Sequence, residues 1–385
     1  MNLKAIKFCR FQGEINEWSI EGKLINGVDN QWVTFENINL IVGKNATGKS
    51  RMVDVLRRIA DLVSGEIKIT DLEYSSAIFE LNFENNKEKL CYFLEFKDNK
   101  VIQEKLSIDN NPKLDREQSF LFYENEHKSI SFQMADDLLA VTRRDSLQQP
   151  FFELLAEWGK NLSHYRFGTH LGRESLFSGN IDIDLIKKQD ISLKTNNKVL
   201  ITFLKGIEIP NFENIIISDM KEIGYNITNI TYGKQVISAL GIDVQETDME
   251  AKTHQIEMSQ GMFRALSLLI QLNYSLLSKI PSCILIDDIG EGLDYDRSKS
   301  LIDLVIKKVE NSSVQVIMTT NDRFVMNKIP LQYWSVIHRV PKKSLFYNYK
   351  NSKDVFDEFK YTGLSNFDFL SSEFYIEGFE TQEQL

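Results

Sequence analysis

Two short stretches of this 385-residue sequence carry residue types that suit phosphate and metal binding. The first, GKNATGKS at 43–50, fits G-x-x-x-x-G-K-[ST], a loop whose glycines let backbone amides turn toward phosphates. We call it the phosphate loop. In it, Lys49 would reach the β and γ phosphates of a nucleotide, and Ser50 would ligate Mg²⁺. The candidate phosphate-contacting residues are Gly43, Lys44, Asn45, Ala46, Thr47, Gly48, Lys49, Ser50 and Arg51.

The second stretch, IDDIGEGLD at 286–294, follows an apolar run and carries four acids. They are Asp287, Asp288, Glu291 and Asp294. Carboxylates at the end of a buried strand are suited to hold Mg²⁺ or to orient a water molecule. The residues alone leave two interpretations open, because Glu291 and Asp294 also fit an ordinary turn and a helix cap.

The surrounding residues predict the elements that position both stretches. INLIVG, before the phosphate loop, reads as a strand, and KSRMVDVLRRIADLV after it has the apolar spacing of an amphipathic helix. In the last third, the apolar runs CILIDD and VQVIMTTND alternate with helical patterns. Residues 75–134 alternate like an antiparallel meander. A helix is predicted near 150–163, with Pro150 at its start, and the weakly patterned residues 175–235 are predicted to be helical. We therefore predict an α/β layer with a β-rich side lobe.

Composition limits the class of protein. Hydrophobic residues make up 42% of the chain, which is enough for a packed core. The net charge of −10 argues against a generally basic nucleic-acid surface, though not against a local basic groove. Three scattered cysteines without a CxxC pair indicate a reducing compartment and no structural zinc. No apolar run approaches the roughly 20 residues that cross a bilayer, so we predict a cytoplasmic protein with no membrane partner.

A third motif, MSQG at 258–261, stands before a long amphipathic helix. Ser259, Gln260 and Gly261 would form a second anion site at a helix N-terminus, or Ser259 would simply cap the helix. The chain lacks the N-K-x-D motif of guanine recognition, because NKIP at 327–330 has no aspartate.

Taken together, these motifs resemble those of ABC-type ATPases. MSQG is similar to the L-S-x-G signature motif, with Met258 in place of leucine, and it precedes the acidic strand as in that family. KAIKFCRFQG, INLIVGKNATGKSRMVDVLRRI and SQGMFRALSLL are most similar to the soluble SMC/RecF/OLD-like branch. The resemblance implies an α/β fold, a P-loop NTPase core of ABC type with an antiparallel β lobe and a helical lobe carrying the signature motif.

The same resemblance implies one ABC-type ATPase domain over residues 1–385. Its expected segments are listed here in chain order: the first part of the core at 1–74, the β lobe at 75–140, the helical lobe at 141–257, the signature, acidic strand and switch at 258–345, and a C-terminal extension at 346–385. The implied cofactors are ATP and Mg²⁺.

Roles for the acids also follow from the resemblance. Asp287 falls at the Walker B position, where it would hold Mg²⁺ with Ser50. Asp288 falls where the family usually has a water-orienting glutamate, with Glu291 as the alternative base. Asn321 stands in place of the switch histidine, and asparagine cannot carry a proton. Both departures predict slow ATP hydrolysis.

Two weaker correspondences concern the start and middle of the chain. Gln148 or Gln149 is a candidate for the glutamine that senses Mg²⁺ in the family, and both also fit ordinary surface residues. Arg10 resembles an early basic residue near the nucleotide.

Members of this superfamily act as head-to-tail dimers, so the resemblance implies a homodimer with two ATP-sandwiched composite sites. Asp294, in GLD, resembles the D-loop residue that contacts the other subunit. FYIEGFETQ at 374–382 resembles the opening strand of a TOPRIM nuclease domain, but no D-x-D follows. We expect a terminal strand and tail here, and a separate effector protein.

The predicted function is an ATP-driven dimeric switch that controls a partner effector or acts on DNA, in anti-phage defence or DNA maintenance. One alternative is the nucleotide-binding subunit of a transporter, which the β lobe and the long C-terminal extension disfavour. The other is a scaffold that binds ATP without hydrolysing it, which the residues at 288 and 321 favour.

Overall fold

The computed structural model describes residues 1–24, 31–167, 173–174, 176–178, 198–236 and 239–379. The chain divides into two compact units. The first unit joins both ends of the chain, Met1–Leu162 with Ile329–Leu385, and the second unit is Ser163–Lys328. Among the described residues, no helix is long and apolar enough to pass through a bilayer.

The elements are numbered along the chain. The strands are β1 Asn2–Arg10, β2 Trp18–Gly22, β3 Val33–Thr34, β4 Ile38–Val42, β5 Ala77–Asn85, β6 Glu88–Lys97, β7 Lys100–Ile108, β8 Asn111–Asp115, β9 Phe120–Tyr123, β10 Lys128–Ser131, β11 Ser163–Arg166, β12 Phe177–Ser178, β13 Ile227–Val236, β14 Ala239–Glu246, β15 Thr253–His254, β16 Ser282–Asp287, β17 Val314–Thr319, β18 Trp334–Val340 and β19 Lys343–Asn348. The helices are α1 Lys49–Ser64, α2 Pro150–Asn161, α3 Lys198–Gly206, α4 Phe212–Glu222, α5 Gln260–Ser278, α6 Tyr295–Val309, α7 Arg323–Lys328, α8 Lys353–Lys360, α9 Asn366–Ser371 and α10 Phe374–Glu377.

The first unit is built on a sheet in the order β10-β9-β8-β7-β6-β5-β1-β2-β19-β18-β4. The hairpin of β18 and β19 comes from the far end of the chain and inserts between β2 and β4, parallel to each of them. Successive strands from β5 to β10 pair antiparallel, which confirms the predicted meander. Buried and exposed positions alternate along β5, as a sheet with one covered face requires.

Helices cover the first unit where its sheet is apolar. Helix α2 begins with Pro150 in its first turn, as predicted. It packs closely on α1, because a Cβ at Gly159 would overlap the carbonyl oxygen of Ala60. The helix that follows the phosphate loop, α1, is therefore packed against α2 near its C-terminal end.

The prediction of a terminal strand at FYIEGFETQ was wrong, because Phe374–Glu377 forms the short helix α10. A strand would turn Phe374 and Tyr375 to opposite faces, whereas both are buried here. Their rings lie 6.1 and 6.2 Å from that of Phe369. Aromatic packing therefore overrides the β preference of this segment. Residues 380–382 lie outside the described residues.

The second unit contains strands of two sheets. In one, β17, β16 and β11 lie parallel, with Ile284 of β16 opposite Val316 and Ser163. In the other, β12, β14 and β13 pair antiparallel, and β15 joins β14. Helices α3 and α4 confirm part of the helical prediction for 175–235, whereas β13 contradicts it, since its backbone hydrogen bonds go to β14. Residues 179–197 lie outside the described residues.

Candidate nucleotide-binding site

The phosphate loop follows β4 and leads into α1 in the first unit. Gly48 has a φ of +112° and Ala46 a φ of +63°, so the chain curls tightly before the helix begins. Lys49 is only 7% exposed, and its Nζ donates to the carbonyl oxygens of Gly43 (2.8 Å) and Lys44 (3.3 Å). The ammonium group is therefore held at the centre of the loop, where it can meet an anion.

Close packing fixes the outer side of the loop. A Cβ at Gly43 would stand 2.6 Å from both the carbonyl oxygen and Cγ2 of Ile337. Thr47 donates its hydroxyl to the carbonyl oxygen of Lys44 (2.8 Å), and its own carbonyl accepts from the Ser344 hydroxyl (3.0 Å). The β18–β19 hairpin thus forms one wall of the phosphate loop.

A cavity of about 230 Å³ opens beside α1. Its lining is Phe8, Arg10, Trp18, Arg51, Asp54, Val55, Arg58, Glu73 and Tyr74. The guanidinium carbons of Arg10 and Arg51 each lie 5.5 Å from the Trp18 ring, and the Trp18 indole donates to the Ser344 hydroxyl (3.2 Å). The buried Tyr74 hydroxyl has no hydrogen-bond partner among the described residues, and burial raises its pKa. The cavity combines aromatic faces, cations and a spare polar group.

In the second unit, the strand β16 ends in what we call the acidic turn, residues 287–294. The Thr319 hydroxyl donates to Asp287 Oδ1 (2.6 Å) and accepts from the backbone amide of Asp288 (2.9 Å). Asp288 has a φ of +58°, and its Oδ1 accepts from the Asn321 side chain (3.3 Å). The structure therefore brings Asp287, Asp288 and Asn321 together, with Thr319 as the group that orients both acids.

The rest of the acidic turn leads into α6. Glu291 is exposed, and its backbone amide donates to the carbonyl oxygen of Asp288 (3.2 Å). Asp294 caps α6, because its Oδ1 accepts from the Arg297 amide (3.0 Å) and its Oδ2 from the Arg297 guanidinium (2.6 Å). The amide and then the side chain of Arg297 lower the pKa of Asp294. Of the two interpretations that the sequence allowed for Asp294, the helix cap is therefore observed.

The MSQG motif stands at the start of α5 in the same unit. Ser259 is the N-cap, and its Oγ accepts from the amide of Met262 (3.2 Å). Ser259 and Gln260 are exposed, whereas Gly261 is buried. A Cβ at Gly261 would stand 2.5 Å from the carbonyl oxygen of Gly292. The glycine is required by this close approach, and the serine is available to a ligand.

The predicted site residues fall into two sets. Residues 43–51 belong to the first unit, and residues 259–261, 287–294 and Asn321 belong to the second. Each set is compact within its own unit. Sequence reasoning missed Thr319 as the residue that orients the acids, although it was visible in the TTND run.

The remaining candidates lie in the first unit. Gln149 is buried just before α2, and the carbonyl of Gln148 accepts from the amide of Glu124 (3.0 Å). Arg10 lines the cavity. Sequence reasoning missed Trp18 and Tyr74 as cavity residues. Trp18 begins β2 and Tyr74 precedes β5, and aromatic residues at such positions look like ordinary core residues.

Each unit carries an oxygen ligand of the kind that Mg²⁺ prefers, namely the Ser50 hydroxyl in the first unit and the Asp287 carboxylate in the second. Among the described residues, no group of three or more His, Cys, Asp or Glu side chains is arranged to hold a metal by itself.

No protein-family model and no curated protein matches the sequence. Among solved structures, the SmcHead bound to the C-winged helix domain of ScpA has a TM-score of 0.53 at 14% identity, covering 90% of this chain and 97% of that chain. The Smc head domain with an extended coiled coil, bound to the C-terminal domain of ScpA derived from Pyrococcus furiosus, has a TM-score of 0.52 at 12% identity, covering 93% and 99%. The chain therefore shares the mixed α/β fold of these SMC head domains.

Proposed function

We propose that the chain binds MgATP and hydrolyses it slowly as a dimeric switch. The phosphate loop carries this proposal, because a buried Lys49 is held by loop carbonyls at the start of a helix. Triphosphate oxygens match this arrangement of one cation, backbone amides and a helix N-terminus. Ser50 and Asp287 would hold Mg²⁺, which when bound neutralises charge on the β and γ oxygens.

The cavity beside α1 supports a nucleotide rather than a bare phosphate. Trp18 offers an aromatic face on which a base can stack, and Arg51 directly follows the phosphate loop. The buried Tyr74 hydroxyl lacks a hydrogen-bond partner among the described residues, so a ribose or base edge would satisfy it. We assign the base and ribose of ATP to this cavity.

Slow hydrolysis follows from the acids. In our proposal Asp287 serves the metal and Asp288 orients the attacking water, but Asp288 is one methylene shorter than a glutamate. The Asn321 amide bonded to Asp288 cannot accept or carry the proton, so it would fix the acid without assisting it. The exposed Glu291 remains the alternative base.

The dimer and the partner are proposed from exposed residues of the second unit and from the SMC head structures. Exposed Ser259 and Gln260 at the start of α5 suit a contact to the γ-phosphate held by a second copy, and exposed Asp294 suits the same interface. Both SMC head structures hold a domain of a separate protein, ScpA. A separate effector is therefore proposed here too. DNA contact and a role in anti-phage defence or DNA maintenance rest on the sequence resemblance.

The test is MgATP binding, phosphate release and oligomeric state measured on the same preparations. Lys49→Ala should weaken MgATP binding about 100-fold, since it removes the only cation at the centre of the loop. Asp288→Asn should bind MgATP normally, release phosphate at least about tenfold more slowly, and accumulate as an ATP-bound dimer.

Four outcomes would contradict parts of the proposal. Turnover well above about 1 s⁻¹ would exclude a slow switch. An association state that ATP never changes would exclude composite sites. Binding without any phosphate release would select the scaffold alternative, which the Asp288–Asn321 pair favours. A membrane partner captured with the chain would revive the transporter alternative.

A further inference from the structure

Helix α5, which starts at the MSQG motif, contains a buried charge that the proposed function does not use. Arg264 is 3% exposed and is surrounded on its helix by buried apolar side chains. Its Nη1 donates to the carbonyl oxygen of Glu291 at 2.6 Å. Burial lowers the pKa of its guanidinium. A charge is costly in this position, so its presence needs a reason.

Stability alone is a poor reason. The Nε of Arg264 is buried without a hydrogen-bond partner among the described residues, so the guanidinium is only partly satisfied. A well-packed apolar side chain of similar length would remove that unsatisfied donor. An apolar side chain at position 264 would, however, lose the hydrogen bond to the acidic turn.

The contact is backed by two glycines. Gly292 has a φ of +79°, and a Cβ there would overlap Nη1 of Arg264. A Cβ at Gly261 would stand 2.5 Å from the carbonyl oxygen of Gly292. The first turn of α5 and the middle of the acidic turn therefore touch through backbone atoms, with the arginine as the bond across them.

A second connection runs along the exposed side. Tyr225 lies against the first turn of α5, since a Cβ at Gly261 would stand 3.1 Å from its hydroxyl, and its ring lies 4.4 Å from the guanidinium carbon of Arg297. Arg297 in turn pairs with Asp294 and donates to the carbonyl oxygen of Gly224 (3.3 Å). The residue expected to meet a ligand and the residue expected to meet a partner subunit are thus joined by two routes.

We propose that Arg264 is a positioning residue that locks the MSQG end of α5 to the acidic turn, so that Ser259 and Asp294 move as one element. Engagement of a phosphate by Ser259 then sets the position of Asp294, and contact with a second copy sets the position of Ser259. The mechanical part rests on the second unit alone, and the ligand part rests on the proposed function.

The first experiment tests the mechanical part without nucleotide. Hydrogen exchange is measured on the full chain for the wild type, Arg264→Met and the control Gln271→Met. Gln271 is a buried polar residue on the same helix that contacts Tyr165 and Ser275 instead of the acidic turn. We expect the amides of Glu291 and Leu293 to exchange at least about tenfold faster in Arg264→Met and to be unchanged in the control.

Exchange within about twofold of the wild type at these amides would overturn the proposal. If Arg264→Met does not fold, as judged by circular dichroism, Arg264→Lys keeps the charge and loses the planar fork. That variant should then show the faster exchange, and unchanged exchange in it would overturn the proposal equally.

The second experiment tests the ligand part. Arg264→Lys should lower the rate of phosphate release about tenfold and change the affinity for MgATP less than twofold, because the phosphate loop is untouched. Equal loss of rate and affinity would overturn the positioning role. A wild type that neither binds nor hydrolyses ATP would instead refute the proposed function, and the exchange result would still decide the role of Arg264.

Discussion

The phosphate loop and the acidic turn are built in opposite ways. In the phosphate loop, the shape is set by backbone and by the absence of side-chain atoms, as at Gly43 against Ile337. In the acidic turn, glycines also allow close approach, as at Gly292, but the two acids are positioned by a side chain, because one Thr319 hydroxyl orients Asp287 and the backbone of Asp288. We call the first arrangement, in which close packing leaves no room for further atoms, a cradle. We call the second, in which side-chain hydrogen bonds orient the acids, a network.

The difference teaches where each region is vulnerable. A cradle is damaged by adding atoms, since its walls are backbone and buried side chains that cannot retreat. A network is damaged by removing atoms, since each lost partner leaves a buried polar group unpaired. The four variants below test this contrast in order of expected effect.

Gly43→Ala should have the largest effect. The new Cβ would stand 2.6 Å from backbone and side-chain atoms of Ile337, so the phosphate loop must shift. We expect the affinity for MgATP to fall about 100-fold, which corresponds to roughly 3 kcal/mol of overpacking. Calorimetric titration measures it. Gly363→Ala is the control outside the loop: a Cβ there meets nothing within 4 Å, and its φ of +71° should cost stability without lowering the affinity for MgATP. Equal losses of affinity would refute the role of the contact with Ile337.

Thr319→Val keeps the shape of the side chain and removes the hydroxyl. Asp287 loses a donor and the Asp288 amide loses its acceptor, a loss of roughly 1–3 kcal/mol. Phosphate release should slow about tenfold, with the affinity for MgATP changed less. The control, Thr320→Val, loses a bond to the carbonyl oxygen of Ile289 and a bond from the amide of Asp322, so stability should fall without a matching loss of rate.

Asp294→Ala removes the cap of α6 and should lower the free energy of unfolding by about 1 kcal/mol, measured by urea denaturation. Because Arg297 lowers the pKa of Asp294, the carboxylate stabilises the fold above its ordinary pKa. That stability is lost as the pH falls through the lowered folded-state pKa. The difference from wild type should therefore shrink below about pH 4. Asp294→Asn, which can still cap, should be nearly neutral.

Glu373→Gln should have the smallest effect. Glu373 pairs with Lys44 of the phosphate loop, and the hydrogen bond from Lys44 lowers the pKa of Glu373. Both side chains are largely exposed, so the pair is worth at most about 1 kcal/mol. Releasing Lys44 should tighten MgATP binding about threefold at low salt. Glu377→Gln makes the same charge change on α10 and should have no effect; equal changes would mean that only net charge matters.

The same contrast explains what the sequence could predict. The phosphate loop was recognisable because its constraints are local: two glycines, a lysine and a helix start within eight residues. The meander and the start of α2 were equally visible, from alternation and from Pro150. The acids were found as a group, because they follow one apolar strand.

The rest depends on contacts between distant parts of the chain. Ser344 bonds to Thr47 across 297 residues, and Glu373 to Lys44 across 329. The helix α10 was predicted as a strand because its aromatic residues favour β structure locally. Its conformation is set instead by their packing against Phe369. Arg264 was overlooked because it is a single charge within an apolar helix, and one residue produces no periodic pattern in the sequence. None of these contacts can be predicted from a short stretch of neighbouring residues.

The origin of the β18–β19 hairpin has a consequence for how the protein is made. Strands β2 and β4 are synthesised early, but each takes its parallel neighbour from residues 334–348. A nascent chain on the ribosome therefore holds β2 and β4 with unpaired edges while the whole second unit emerges. The wall of the phosphate loop is made after the second unit, so the nucleotide we propose can stabilise only chains that have been translated past residue 348.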